Sequence, residues 1–309
     1  MRVFLAGATG AIGAPLLRLL VADGHEVTGM TRSRERAAAV RAAGAEAAVA
    51  DALDADAVTA AVRQARPEAV VHQLTAIPQR LDARKIVRDF ALTDRLRTEG
   101  TRHLVAAAQA AGARIVAQSI AFAYAPGPPG TVHVEDDPLI ADPPAQFKRS
   151  AAAVAELERV VLGGGGLVLR YGYFYGPNTA ISARGSLGEE VARRRLPIVG
   201  GGHGVWSFIH IEDAARATAA ALTRGTAGAY NIVDDEPAPV HEWVPAFADA
   251  LGAKPPRRVP AWLARPLAGE YGVYTMTRTQ GASNARAKAE LGWTPLHASW
   301  REGFQTALG

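Results

Sequence analysis

The sequence predicts an α/β fold organised around a doubly wound parallel sheet. Three observations lead there. Short β-rich runs alternate with Ala-rich amphipathic runs from residue 1 to residue 120. The β-rich runs are almost wholly apolar (VFLA, AVVH, RIVA), as strands are when helices cover both faces. A glycine-patterned turn separates the first strand from the first helix. Together these read as a Rossmann-like sheet with right-handed crossovers.

The expected strands are Arg2–Ala6, Glu26–Thr31, Ala47–Ala50, Ala69–Gln73 and Arg114–Gln118. The helices between them are Ala11–Ala22, Ser33–Ala43, Ala55–Gln64 and Thr98–Ala111. Beyond residue 120 the alternation breaks. Ala125–Gly130 is a Pro/Gly loop, Ala145–Leu162 a long helix and Gly163–Gly166 a flexible connector. Leu167–Tyr171 reads as another buried strand. It is followed by a Gly-rich loop at Gly200–Gly204, a helix at Glu212–Leu222 and a strand at Ala229–Val233. Prolines then cluster between Pro237 and Pro266, too irregular for a second doubly wound domain. The expected division is a nucleotide-binding part at 1–170 and 205–233, with a small substrate lobe at 171–204 and 234–309.

Composition narrows the function. The 309 residues are 49% hydrophobic and 21% charged, which excludes a disordered chain. The absence of cysteine excludes a disulfide scaffold, a thiolate-held metal and a thiol nucleophile, and fits a reducing cytoplasm. No metal-ligand spacing is present. There are 65 alanines, and 30 arginines against four lysines. The net charge of +4 is spread along the chain, so no nucleic-acid footprint is expected. Neither a signal peptide nor an apolar run of membrane-spanning length is seen.

The turn Gly7-Ala8-Thr9-Gly10-Ala11-Ile12-Gly13 has the form that a dinucleotide pyrophosphate requires. Glycines make the turn tight and let backbone approach the phosphates. The following helix offers unpaired amides and a positive dipole end. Cofactor choice is read at the end of the second strand, where a carboxylate would accept from a ribose 2′-hydroxyl. The chain has Met30-Thr31-Arg32-Ser33 there. Arg32 and Ser33 suit a 2′-phosphate, so NADP(H) is expected. Asp51, beside Ala52, is either an acceptor for the adenine amino group or a helix N-cap.

These segments resemble the extended short-chain dehydrogenase/reductase group, described as the NAD-dependent epimerase/dehydratase family. The glycine turn matches, with Ala6 where many members have Thr. Val71-His72-Gln73-Leu74-Thr75-Ala76 is similar to the family's fourth-strand motif beside the nicotinamide ribose. Leu169-Arg170-Tyr171-Gly172-Tyr173-Phe174-Tyr175-Gly176-Pro177 resembles its segment over the nicotinamide. Phe208-Ile209-His210-Ile211-Glu212-Asp213, Ala229-Tyr230-Asn231-Ile232 and Leu291-Gly292-Trp293-Thr294-Pro295 resemble later motifs. The resemblance implies cofactor contacts from Gly7, Thr9, Gly10, Ala11, Ile12, Arg32, Ser33, Asp51, Ala52, Leu74, Thr75, Ala76, Ser119 and Tyr171.

The catalytic pattern departs. The family carries a Tyr with a Lys four positions later, and none of the seven tyrosines here has that Lys. At the matching helix start the pair becomes Phe147 with Ala151 or Lys148 with Ala152, and the family's Asn falls at Arg97. Ser119 remains where a catalytic Ser lies at the carboxyl edge of the fifth strand, unless it only caps that strand. Tyr124, Lys148, Tyr173 and Tyr175 are further candidates, against plain packing for Tyr124 and an uncertain register for Lys148. His72 reads as a strand hydrogen-bonder or a site group, and Arg97 as a helix-face ion-pair partner. The leading expectation is an NADPH-dependent ketoreductase for an aromatic or polycyclic ketone, such as a natural-product (antibiotic) intermediate, acting as monomer or homodimer. Its proton would come from Ser119, water or a substrate hydroxyl. The alternatives are a non-catalytic NADP(H) sensor and a nucleotide-sugar epimerase or dehydratase.

Overall fold

The computed structural model describes residues 1–78, 80 and 85–308. Gly309, the last residue of the expected lobe, lies outside the described residues. The first half runs β1 (Arg2–Ala6), α1 (Gly13–Ala22), β2 (Glu26–Thr31), α2 (Arg34–Ala42), β3 (Glu46–Val49), α3 (Ala55–Ala65) and β4 (Ala69–His72). Then come α4 (Ile86–Asp89), α5 (Ala91–Arg95), a π-helical turn (Leu96–Gly100), α6 (Thr101–Ala110) and β5 (Arg114–Ile120). A short β6 (Val132–His133) precedes α7 (Lys148–Gly163), β7 (Leu167–Tyr171) and β8 (Tyr173–Tyr175). Next are α8 (Ser186–Ala192), β9 (Ile198–Val199), β10 (Val205–Trp206), β11 (Phe208–His210), α9 (Ile211–Ala220) and β12 (Gly228–Ile232). The chain ends with β13 (Ala238–Pro239), α10 (Val240–Ala250), β14 (Arg258–Val259), α11 (Ala261–Thr277), β15 (Gly281–Ala282), α12 (Ala285–Leu291) and α13 (Trp300–Thr306).

Seven strands form one sheet in the order β12-β7-β5-β4-β1-β2-β3. All six pairings are parallel. The order reverses beside β1, which opens a crevice at the carboxyl edge between β1 and β4. Alternation along each strand builds two cores. Val3 and Leu5 face the α1 and α9 side, with Leu16, Leu20 and Ala217. Phe4 and Ala6 face the α3, α6 and α7 side, with Val58, Leu104 and Leu157.

The expected elements stand, most with ends moved by one or two residues, and three differences matter. β5 continues to Ile120, because Ser119 and Ile120 still pair with Arg170 and Tyr171 of β7. The expected helix over Thr98–Ala111 opens with a π turn at Leu96–Gly100. The long helix starts at Lys148, after a tight turn in which the Phe147 amide donates to Pro144 at 2.8 Å.

The lobe has its own core of Tyr175, Trp206, Phe208, Trp243, Phe247, Trp300 and Phe304. Trp206 and Phe208 therefore pack with the lobe rather than with the nucleotide-binding part, where the sequence division put them. The physical reason is strand alternation. Phe208 turns into the lobe, while Ile209 turns into the sheet core. Among the described residues no helix is long and apolar enough to cross a membrane. Truncating Phe208, which is fully buried, to Ala should cost about 3–5 kcal/mol of stability. Urea unfolding of purified Phe208→Ala against the parent measures it.

Candidate active site

The glycine turn brings backbone against backbone. Gly7 has φ of 90°, and a Cβ there would lie 2.7 Å from the Gln73 carbonyl oxygen. A Cβ on Gly13 would lie 2.0 Å from the Gly7 carbonyl oxygen, so α1 packs on the turn only because Gly13 has none. Thr9 is half-buried, Gly10 and Ala11 are exposed, and Ile12 is buried. No acceptor among the described residues takes the Ala11 or Ile12 amide hydrogen. These amides, at the positive end of α1, form the cradle that a pyrophosphate fits.

At the end of β2, Arg32 is exposed and makes no ion pair with any described residue. Ser33 caps α2, accepting from the Arg36 amide at 3.3 Å. That leaves its hydroxyl hydrogen available to an anion beside Arg32. Asp51 accepts from the Leu53 amide at 3.0 Å, and the cap of α3 is Asp54, at 3.0 Å from the Ala57 amide. The N-cap reading of Asp51 is thereby corrected. Ala52 is buried, and its carbonyl is bound by His103 at 2.9 Å.

The segment after β4 is held from three sides. The Leu74 amide donates to Nδ1 of His72 at 3.2 Å, and Nε2 of Gln118 donates to the Leu74 carbonyl at 2.8 Å. The Ala76 amide donates to the Thr93 hydroxyl at 3.0 Å, and Thr75 is exposed between them. Because His72 accepts at Nδ1, its proton sits on Nε2, 3.0 Å from the Thr101 hydroxyl. Complete burial, with a smaller push from the Arg97 charge, lowers the His72 pKa from 6.5 to about 4. His72 is thus a neutral clamp on this segment.

Ser119 and Tyr124 both give their hydroxyl hydrogens to buried partners. The Ser119 hydroxyl is buried and donates to Oε1 of Glu158 at 2.6 Å. Glu158 takes a bidentate hold from Arg170, at 2.9 and 2.7 Å. Arg170 also donates to the Tyr124 hydroxyl at 2.8 Å and to the Glu135 carbonyl at 2.9 Å. The Tyr124 hydroxyl in turn donates to Oδ1 of Asn231 at 2.6 Å. Each hydroxyl has one hydrogen, and both are spent inside this network. Burial also pushes the Tyr124 pKa up. The Tyr171 hydroxyl is held by two partners inside the protein. Gln73 donates to it at 2.9 Å and it shares a 2.6 Å hydrogen bond with Thr218 of α9. Its pKa is raised to about 12 by burial.

Lys148 is exposed on the first turn of α7, and the place beside it is taken by an apolar pair. Phe147 stacks on Tyr271 of α11, with centroids 4.5 Å apart. Across the crevice Tyr173 is stacked between Phe122, at 4.3 Å, and Trp206, at 3.8 Å. Flat rings thus stack on one another between the sheet and the lobe core. Arg97 corrects the ion-pair expectation, because it is 4% exposed and no described carboxylate lies within ion-pair distance. The sequence reading missed Glu158 and Tyr271. Glu158 carried a signal: it falls on the same buried stripe of α7 as Val154, Leu157 and Val161, opposite the arginine of an otherwise apolar strand, LVLRY.

Fold and turn together define a dinucleotide-binding α/β enzyme. The chain belongs to the NAD dependent epimerase/dehydratase family, whose model matches residues 3–233. It is accordingly a nicotinamide-dependent oxidoreductase. A Streptomyces sp. protein, "3-diazoavenalumate denitrifying reductase", is 50% identical over 98% of this chain and 99% of its own. The UDP-glucose 4-epimerase of Thermus thermophilus, solved with NAD, superposes with a TM-score of 0.76 at 26% identity, covering 100% of this chain and 98% of that one. A human epimerase family protein solved with NADPH gives 0.74 at 20% identity, covering 100% and 99%.

Two outcomes follow from this geometry. Glu158→Gln removes the charge that neutralises a buried arginine and should destabilise the protein by about 3–5 kcal/mol in urea unfolding. The depressed His72 pKa means that the unfolded chain takes up a proton at higher pH than the native one. Stability is then full above pH 6.5 and falls as pH drops toward 4, by about 3 kcal/mol from this group. His72→Gln should flatten that part of the stability-versus-pH curve.

Proposed function

We propose that this protein is an NADPH-dependent reductase that directs a hydride to a planar, electron-poor aromatic acceptor without a protein proton donor. The observation that carries the reading is the network around Glu158, which consumes the Ser119 and Tyr124 hydroxyls. NADPH would be held by the turn amides, by Arg32 and Ser33 at the 2′-phosphate, and by the clamped segment Leu74–Ala76. When bound it supplies the hydride. The chain's own part is to orient ring against ring, through Phe122, Tyr173, Phe147 and Tyr271, and to exclude water between sheet and lobe.

A ketone acceptor needs a hydride at carbon and a proton at oxygen. The Ser119 and Tyr124 hydroxyl hydrogens are spent on buried partners, and the Tyr173 hydroxyl, though unpartnered among the described residues, is a poor acid because burial raises its pKa. Removal of a diazo group needs no proton. One C–H bond forms from the hydride, one C–N bond breaks, and dinitrogen leaves with the bonding pair. The hydride charge cancels the diazonium charge, so the step balances without a proton. The 50% identical relative is named for such a substrate and such a loss. A diazo-substituted aromatic acid is therefore the favoured substrate class here, in place of the ketone. An epimerase reading would need a base for repeated proton transfer, and the same consumed hydroxyls argue against it.

The test is turnover. Purified protein with NADPH and a stabilised arenediazonium salt should release dinitrogen in step with NADPH loss, faster than with a panel of aromatic ketones. Turnover with ketones alone would restore the ketoreductase reading, and nucleotide binding without any turnover would favour a sensor. Arg32→Glu should weaken NADPH binding about tenfold to a hundredfold and leave NADH binding nearly unchanged, read by nucleotide fluorescence.

A further inference from the structure

We infer that Arg97 is an anion-binding residue beside the rings stacked between sheet and lobe, and that the substrate carries an oxyanion on its ring or side chain. The inference rests on the reductase reading for where the substrate lies. Arg97 sits in the π-helical turn Leu96–Gly100, a rare element that recurs at functional sites. It is 4% exposed, and its Nε is sealed from solvent without a hydrogen-bond partner. No described residue accepts a hydrogen bond from its terminal nitrogens. A buried guanidinium whose Nε lacks a hydrogen-bond partner is costly until an anion completes it.

Asp94 is the obvious internal counterion, and its charge acts on Arg97, but no ion pair closes between them: the Asp94 Oδ1, like the Arg97 Nε, is buried without a hydrogen-bond partner. The Asp94 Oδ2 faces Arg149 at 3.6 Å and its carboxylate accepts from Ser150. Burial moreover raises the Asp94 pKa, which weakens its claim as a counterion. The Arg97 charge is felt by His72 at the end of β4 and by Tyr271 in the lobe. The guanidinium therefore lies within electrostatic reach of both the sheet edge and the lobe, while the phosphate cradle is at the other strand, after β1. An aromatic carboxylate or phenolate would find a fork for its oxygens and rings for its plane.

The test is binding, which needs no turnover. NADP+-loaded protein is titrated with cinnamate, with 4-nitrophenolate and with the neutral cinnamamide, and competition against NADP+ is checked separately. At least one anion should bind about tenfold to a hundredfold tighter than the amide. The anion that does so separates carboxylate from phenolate. R97Q should abolish the preference, keep NADP+ affinity and hold or raise the thermal midpoint, because a buried lone charge is gone. A purely structural arginine would instead lower the midpoint and leave the preference intact. Should R97Q fail to fold, R97K decides: a reduced preference supports the inference and an undiminished one overturns it. No anion preference in the parent protein overturns it outright. A failure of diazo turnover with anion preference intact would sink the reductase reading and leave this site standing.

Discussion

The buried ion pair between Glu158 and Arg170 organises more of this molecule than any other contact. It ties α7 to β7, takes the Ser119 hydroxyl from β5 and, through Tyr124, reaches Asn231 of β12. Both side chains are about 5% exposed, so neither charge could stand alone. The pair thereby also fixes where the Ser119 and Tyr124 hydroxyls lie. A serine and a tyrosine at the mouth of a nucleotide crevice would ordinarily be read as proton donors. Here their hydrogens are spent inside the fold, and the rings nearby bring the Tyr173 hydroxyl, which burial keeps protonated.

That division of labour suits hydride transfer to an acceptor that expels a neutral molecule. The phosphate cradle is built from backbone, which no side-chain replacement can erode without collision at Gly7 or Gly13. The acid–base machinery, by contrast, depends on a few hydroxyls and amines, and none of the seven tyrosines here has a lysine four positions later. A reaction that requires no protein proton tolerates that absence. A reaction that alternates proton removal and return does not.

Much of the fold was legible in the sequence. Strands β1, β2 and β7 fall on the expected residues, because short β-rich runs set apart by helical runs and turns have few other uses. The phosphate turn was legible for the same reason: glycine spacing between strand and helix has one physical purpose. The division between sheet and lobe was not, because β11 serves both cores through alternate side chains. Nor were the directions of Ser119, Tyr124 and Tyr171. A hydroxyl's partner is set by residues such as Glu158 and Thr218, far away in sequence and brought close only by the crossovers. Arg97 read as surface because helical periodicity was assumed there, whereas the π turn shifts the register and turns it inward.

The central claim is that hydride goes to carbon with no proton from protein or solvent at that carbon. Isotope tracing tests it most directly. An arenediazonium substrate is turned over with NADPH deuterated at the transferable position in ordinary water, and with ordinary NADPH in heavy water. The account predicts one deuterium on the carbon that lost dinitrogen in the first case and none in the second. Deuterium entering that carbon from heavy water would contradict it.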